Sequence, residues 1–450
     1  MLATQRRATN QQVLLDRLKE ARNNTDALFK IVREDSLYER PIPERHRIAF
    51  YLGHLEAFDW NLFRQYIPAL KSFAPEFDKL FAFGIDPVGG GLPTDRAEDW
   101  PALARITAYQ KSVRDSLDAA MQAGDFPEES ASGRPSLLTL LHVAIEHRLM
   151  HAETLTYMFH RLAFERKHRQ AQPMPSERAI RAGMVEIPEG RATLGFLPND
   201  AREFGWDNEF EAHDVEVPAF QIDWYMVTNG EFLEFLHSGG YNNRKVWSDA
   251  DWSWKEQQNI RHPAFWRSAD GEWRYRGMFE EMPLPLSWPV YVSHAEAIAY
   301  ARWANKSLPT EAQWHRAAYG TPEATERIFP WGSDFPAANL GNFDFSRWDP
   351  VPVNAFPDNQ SALGVEGQLG NGWEWTSSLF RPFEGFQPFS FYPGYSADFF
   401  DGKHYVIKGG SARTAASMLR RSFRNWFQPH YQYVYAGFRC VSAEDRSVSC

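Results

Sequence analysis

Three histidines in the first third of the sequence have the residue type and spacing of a metal site. His147 and His151 stand four residues apart in EHRLMHAETL, which has the apolar periodicity of a helix. Residues i and i+4 share one helix face, with Cβ atoms about 5 to 6 Å apart, so both imidazoles can reach one cation. His54 lies in the apolar stretch FYLGHLEAFDWN, where a buried imidazole needs a partner. The alternatives are packed or solvated histidines, with His54 bonded only to a backbone carbonyl.

The elements that must position these histidines are helices. From about residue 10 to 170, apolar residues recur at helical spacing in four long segments, which predicts a four-helix bundle. The segments are NQQVLLDRLKEARNNTDALFKIV, ERHRIAFYLGHLEAFDWNLFRQYI, WPALARITAYQKSVRDSLDAAMQ and SLLTLLHVAIEHRLMHAETLTYMFHRLAFER. FAFGIDPVGGGLPTDRAEDW, rich in Gly, Pro and Asp, predicts a long connection between the second and third helices.

The pattern changes after a polar, proline-containing linker. Short strand-like runs such as HDVEVPAFQIDWYMVT and YVIKGGSAR alternate with turn residues, and SHAEAIAYARWANK and TEAQWHRAAYG read as helices. The sequence therefore predicts an α+β protein: a helical bundle at 1–172, a linker at 173–182 and a mixed α/β domain at 183–445.

Composition limits the class of partner. The 450 residues carry a formal charge of −10 without a long run of Lys or Arg, which argues against nucleic acid or an anionic membrane surface. Two cysteines, Cys440 and Cys450, are too few for a disulfide framework, and the first residues lack the apolar core of a signal peptide. We therefore expect a cytoplasmic protein that acts on small molecules.

The order of motifs resembles a known enzyme family. The His54 segment, HRLMHAET about ninety residues later, and then LPTEAQWHRAAYG, GNGWEWTSS, IKGGSAR, SFRNWF and AGFRC together resemble the EgtB-type sulfoxide synthases of ergothioneine biosynthesis. The resemblance runs over nearly the whole chain. It implies a DinB-like four-helix bundle followed by a domain of the formylglycine-generating-enzyme, or C-type-lectin-like, fold.

The resemblance also implies a reaction. The family's Fe(II) site falls on His54, His147 and His151, and three protein ligands leave positions for a thiolate, O2 and another molecule. The implied substrates are a histidine betaine such as hercynine and a small thiol, cysteine or γ-glutamylcysteine, joined oxidatively to give a sulfoxide. A formylglycine-generating activity is not expected, because the copper-binding cysteine pair of those enzymes has no counterpart here.

Further site residues are implied by the same resemblance. In FSFYPGYSADFF, Tyr392 matches the family's active-site tyrosine, a proton or electron donor during sulfoxide formation, and Tyr395 a substrate-pocket residue. In SFRNWF, Asn425 and Trp426 match a pair that lines the betaine pocket, where an amide holds a carboxylate and an aromatic face attracts a quaternary ammonium. The alternative for all four is ordinary packing in an aromatic-rich domain.

Some positions depart from the family pattern or stay open. Met150 stands where the family commonly has a glutamine before the third ligand, and the loop between the second and third helices keeps only Arg96 as a nearby cation for substrate. In GNGWEWT, Asn371 and Glu374 are candidates for a structural Ca²⁺ ion. The alternative for Glu374 is an ion pair with an arginine such as Arg413.

Three hypotheses of function follow. The first is an Fe(II)- and O2-dependent sulfoxide synthase. The second keeps the histidines but changes the metal or substrate, as in a zinc-dependent thiol transferase or another non-heme iron oxygenase. The third is a non-catalytic ligand-binding protein whose histidines hold a structural ion.

Overall fold

A computed structural model describes residues 2–82, 94–123, 135–172, 179–196 and 204–443, with side chains from 10 to 442. The chain divides into two compact units, Met1–Gln170 and Ala171–Cys450. The predicted fold class, a helical bundle followed by a mixed α/β domain, is confirmed. The boundaries predicted at 172 and 183 remain a prediction, and 173–178 of the linker lie outside the described residues.

The first unit contains the four predicted helices and one short helix in the connection. Fourteen of the sixteen residues of the second helix are buried, as expected for a helix that is apolar on every side. The last long helix is capped by Ser136, whose side chain accepts the Thr139 N–H. The helices are α1 (Leu2–Phe29), α2 (Ile48–Phe63), α3 (Pro75–Leu80), α4 (Leu103–Ala123) and α5 (Leu137–Arg161).

Where the structure describes the second unit, it contains four small α-helices, two of them predicted from sequence. Both predicted helices begin with a capping box, Ser293 with Glu296 and Thr310 with Gln313, in which each side chain bonds a backbone N–H of the other residue. The helices are α6 (Asn229–His237), α7 (Asp249–Gln257), α8 (His294–Trp303) and α9 (Glu311–Tyr319). Among the described helices, none is both long and apolar enough to cross a bilayer.

The strands among the described residues of the second unit form four small sheets. The strands are β1 (Met184–Ile187), β2 (Gly190–Leu194), β3 (His213–Val217), β4 (Phe220–Asp223), β5 (Trp266–Ala269), β6 (Glu272–Arg276), β7 (Glu281–Pro283), β8 (Gly372–Leu379), β9 (Tyr405–Gly410), β10 (Asn425–Phe427), β11 (Ala436–Gly437) and β12 (Val441–Ala443). Three sheets are antiparallel: β1-β4-β12, β2-β3 and β5-β6-β7. The fourth, in the order β10-β9-β8-β11, is antiparallel except that β11 runs parallel to β8.

Candidate metal centre and substrate residues

The three predicted histidines meet inside the bundle. His54 lies on α2, whereas His147 and His151 lie on α5. The Nε2 atom of His151 is 3.2 Å from Nε2 of His54 and 3.1 Å from Nε2 of His147. All three side chains are buried, and one ligand nitrogen from each lies within 4.8 Å of the others. The fold therefore brings the complete predicted set together.

The donor set fits a divalent transition-metal ion. Two nitrogens that bind one ion at about 2.1 Å lie roughly 3.0 to 3.4 Å apart, and the observed separations of 3.1 and 3.2 Å fall in this range. Burial lowers the pKa of His54 to about 4, and it lowers the pKa of His147 and of His151 well below the usual value. The imidazoles are therefore neutral near pH 7 and available as ligands.

A backbone carbonyl orients His54. Its Nδ1 lies 2.7 Å from the carbonyl oxygen of Phe81, the residue that follows α3. Donation of Nδ1–H to this oxygen leaves Nε2 as the lone-pair nitrogen, on the side of the other two histidines. The sequence left open whether His54 bonds a backbone carbonyl or binds a metal. The structure allows both, because the carbonyl bond uses Nδ1 and the metal site would use Nε2.

Aromatic packing fixes the ring planes. Phe58 stacks on His147 with ring centroids 3.4 Å apart, and Phe50 stacks on His54 at 4.8 Å. Gly53 makes room for the partner of His54, because a Cβ at this position would lie 2.4 to 2.5 Å from carbons of the Phe81 ring. A glycine inside α2, unfavourable for a helix by itself, is therefore explained by the close approach of Phe81.

Replacing Gly53 by alanine should weaken metal binding about tenfold, the lower range for loss of an outer partner of a metal-bound histidine. The new methyl group displaces the buried Phe81 ring, and with it the carbonyl that orients His54. Metal titration of the apo-protein measures the effect. The double variant Gly53→Ala/Phe81→Ala removes the ring carbons in conflict and keeps the backbone carbonyl of residue 81, so it should recover most of the affinity. Unchanged affinity in Gly53→Ala would contradict the explanation.

A buried ion network joins α2 and α5 beside the histidines. Arg148, next to His147 in sequence, donates to the Leu55 carbonyl at 2.9 Å, to both oxygens of Glu56 at 3.1 and 3.0 Å, and to Asp59 at 2.8 Å. Burial alone would raise the pKa of Glu56, but Arg148 and the neighbouring Arg114 lower it to about 2. Glu56 is therefore anionic, and the network holds the two ligand-bearing helices in register.

The sequence analysis missed this network, although a signal for it was present. In a helix whose other residues are almost all apolar, Glu56 and Asp59 cannot both reach solvent, so they require a buried cation. The sequence alone did not identify Arg148 as that cation.

In the second unit, the predicted substrate residues form one aromatic cluster. The Tyr395 ring lies 5.6 Å from the Tyr392 ring and 5.5 Å, edge to face, from Trp426. Trp426 stacks on Phe380 at 4.1 Å, and its backbone N–H donates to Oδ1 of Asn425 at 2.9 Å. Tyr395 is buried, whereas Tyr392, Asn425 and Trp426 are half-buried and can reach a ligand.

Comparison with known families divides the chain in the same order as the structure. The DinB superfamily matches residues 17–155, and the sulfatase-modifying factor enzyme 1-like domain matches residues 169–444. The first match spans all three histidines, and the second spans the aromatic cluster.

Whole-chain relatives decide the family. The chain is 38% identical over 356 residues to the hercynine oxygenase of Mycolicibacterium thermoresistibile, covering 78% of this chain and 76% of that protein. It is 36% identical to the hercynine oxygenase of Mycolicibacterium smegmatis, covering 81% and 83%. The chain belongs to the hercynine oxygenase family. The ergothioneine biosynthesis protein 1 of Neurospora crassa is also similar, 28% identical over 92% of this chain and 55% of its own length.

Membership of the hercynine oxygenase family confirms the resemblance found in the sequence. It makes the chain an enzyme, an oxidoreductase that acts on small molecules, and the hypothesis of a non-catalytic binding protein is therefore wrong. The buried cluster of His54, His147 and His151 is suited to hold the metal ion that membership of this oxygenase family implies.

Arg96, which the sequence predicts to bind substrate, is exposed at the surface of the first unit. Its side chain is 79% exposed and lies 3.8 Å from Asp99, an exposed pair of small energetic value. The neighbouring Asp95 instead draws Arg40 and Arg47 together. The structure describes Arg96 as a solvated arginine, and its substrate role stays a prediction.

The two residues predicted to bind calcium, Asn371 and Glu374, are hydrogen-bonded to other protein groups. Glu374 accepts two 2.7 Å bonds from Arg439 and one from the indole N–H of Trp314. Asn371 bonds the backbone N–H and carbonyl of Val351, both at 2.9 Å. These contacts favour a buried structural ion pair over a calcium ion at the two residues.

The arginine suggested for Glu374 was wrong. Arg413 instead donates to the Phe345 carbonyl at 2.8 Å and lies over the Trp348 ring, so Arg439 is the partner of Glu374.

Proposed function

We propose that the chain catalyses Fe(II)- and O2-dependent formation of a C–S bond between hercynine and a small thiol, giving a sulfoxide in ergothioneine biosynthesis. The thiol is cysteine or γ-glutamylcysteine. The observation that carries the proposal is the convergence of three neutral, buried imidazole nitrogens in a chain that belongs to the hercynine oxygenase family.

Within this proposal, His54, His147 and His151 hold the iron. Bound iron(II) supplies redox chemistry with O2 and lowers the pKa of a coordinated thiol. The protein's own contribution is to keep the three imidazoles neutral by burial and to fix the His54 ring through Phe81. The aromatic faces of Phe50 and Phe58 exclude water from the histidine rings.

Asn425 and Trp426 are proposed to bind the betaine. Oδ1 of Asn425 is used by the Trp426 N–H, whereas its Nδ2 makes no hydrogen bond to a described residue and is the donor that a carboxylate needs. One face of Trp426 packs on Phe380, and the half-buried indole offers the electron-rich surface that attracts a trimethylammonium group.

Tyr392 is proposed as the proton donor of the reaction. Tyr392→Phe should therefore retain the metal but form the sulfoxide at least about 100-fold more slowly, since general acids contribute about 10² to 10⁴ in rate. Thiol oxidation should become the main product. Product ratios by mass spectrometry at equal iron content measure this effect. Tyr433→Phe, the same change at another half-buried tyrosine, is the matched control, and full sulfoxide formation by Tyr392→Phe would refute the role.

The test of the whole proposal is anaerobic Fe(II) reconstitution followed by aerobic incubation with hercynine and each thiol. Oxidative coupling by one O2 releases one water, so the expected product has the summed mass of the two substrates minus two hydrogens plus one oxygen. Product formed equally with zinc and without O2 would instead support a thiol transferase. Iron binding with no coupled product would disprove the proposed substrates.

A further inference from the structure

A buried polar segment lies against the tyrosine-bearing loop of the second unit. Trp206, Asp207, Asn208 and Glu209 are at most 1% exposed. Glu209 is fixed by protein donors, since it accepts from the Trp206 N–H at 2.9 Å, from Ser422 at 2.6 Å and from Arg420. This segment is therefore a rigid support rather than a mobile loop.

Two side chains of this support contact the loop of residues 389–399. The Ser396 hydroxyl donates to Oδ1 of Asp207 at 2.5 Å, across 189 positions of sequence. The Trp206 indole stacks on Tyr395 at 3.9 Å with a 20° interplanar angle and meets Tyr392 edge to face at 6.4 Å. One ring thus contacts both tyrosines that the sequence predicts for the site.

The backbone hydrogen bonds of the described loop are local, apart from one to the support. The N–H groups of Tyr392, Tyr395 and Phe399 bond to carbonyls three residues earlier in the same loop, whereas the Phe389 backbone bonds the Asp207 carboxyl group. Such local turns fix the shape of a loop but not its placement on the domain. Placement therefore depends on side-chain contacts such as those made by Trp206 and Asp207.

We infer that Trp206 and Asp207 are positioning residues that hold Tyr392 for the proton-transfer step, an inference that rests on the proposed function. They act through Tyr395 and Ser396, which they contact directly. Tyr395 in turn meets Trp426, so the same support places the tyrosine relative to the proposed betaine site.

The polar character of the support agrees with a functional role. Burial raises the pKa of Asp207 to about 6, because the charged carboxylate loses hydration. Burying this group therefore costs free energy, which a side chain with a packing role alone would not require. The side-chain amide of Asn208 is fully buried, yet neither its Nδ2 nor its Oδ1 bonds a described residue. Buried polar groups without a protein partner are usually satisfied by water, an ion or a ligand.

The test combines the support variants with Tyr392→Phe. Ser396→Ala should lower the ratio of sulfoxide to oxidised thiol about fivefold, the equivalent of about one hydrogen bond. Trp206→Leu should lower it further, and Trp206→Phe, which keeps an aromatic face, should restore most of it. In the Tyr392→Phe background none of these changes should alter the ratio, because the group they position is already absent.

Controls separate positioning from damage. Asp398→Asn makes an acid-to-amide change at an exposed residue of the same loop and should leave the ratio at the wild-type value. Iron content and unfolding temperature report on folding. Effects of Ser396→Ala that persist in the Tyr392→Phe background, or no effect in the wild-type background, would overturn the inference. A wild-type enzyme that forms no sulfoxide would instead disprove the proposed function.

Discussion

Replacing His151 by alanine should abolish metal binding and activity together. His151 is the central member of the cluster, since its Nε2 lies 3.2 and 3.1 Å from those of the other two histidines. Loss of an outer partner typically costs 10 to 100-fold in metal affinity, so loss of a direct ligand should cost more than about 100-fold. Metal analysis of the purified variant and the hercynine assay measure the two losses.

The matched control is His142→Ala, a histidine on the same helix that is not part of the cluster. It removes an imidazole from α5 without removing a ligand, and it should keep the full metal content. If His151→Ala retains stoichiometric iron at wild-type affinity, the cluster is not the metal site. If it loses activity while its far-ultraviolet circular dichroism collapses, the helices of the bundle have unfolded, and His151→Gln then provides the gentler substitution.

The positions that share one short stretch of sequence were the easiest to predict. That His147 and His151 share one helix face follows from the helical period alone, because four residues return the chain to one face, whereas their role as metal ligands also required the family resemblance. His54, about ninety residues earlier, required both its apolar surroundings and the family resemblance. The capped helices α8 and α9 were equally accessible, since Ser293 with Glu296 and Thr310 with Gln313 are local pairs.

Partners distant in sequence could not be predicted, since many equivalent candidates exist for each. Glu374 required a buried cation, but the chain has 48 lysines and arginines, and Arg439 is no more conspicuous in sequence than Arg413. Ser396 and Asp207 are 189 positions apart, and neither residue type implies the other. Such pairs are determined by how the sheets and loops pack, which residue periodicity does not encode.

The largest effect on stability is expected from Arg148→Met. The substitution removes the cation from a pair of carboxylates that are both fully buried, and Asp59 loses its described hydrogen-bond partner. Removing one side of a buried ion pair typically costs about 3 to 5 kcal/mol. Arg114 still contacts Glu56 at 2.6 Å, so we expect the lower end of that range. Urea unfolding of the apo-protein measures the free energy of unfolding.

Two further variants distinguish this cause from general damage to the bundle. Arg105→Met removes an exposed arginine that is 3.9 Å from Glu76, and it should cost at most about 1 kcal/mol. Arg148→Met/Asp59→Asn replaces the stranded carboxyl group, whose pKa burial raises, by a neutral amide. It should recover part of the loss at pH 7, because an amide is less costly to bury than a carboxylate. We expect the Arg148→Met variant also to bind metal more weakly, because Arg148 contacts Leu55 and Glu56, the two residues that follow His54. A stable Arg148→Met variant with normal iron affinity would show that the helices keep their register without the network.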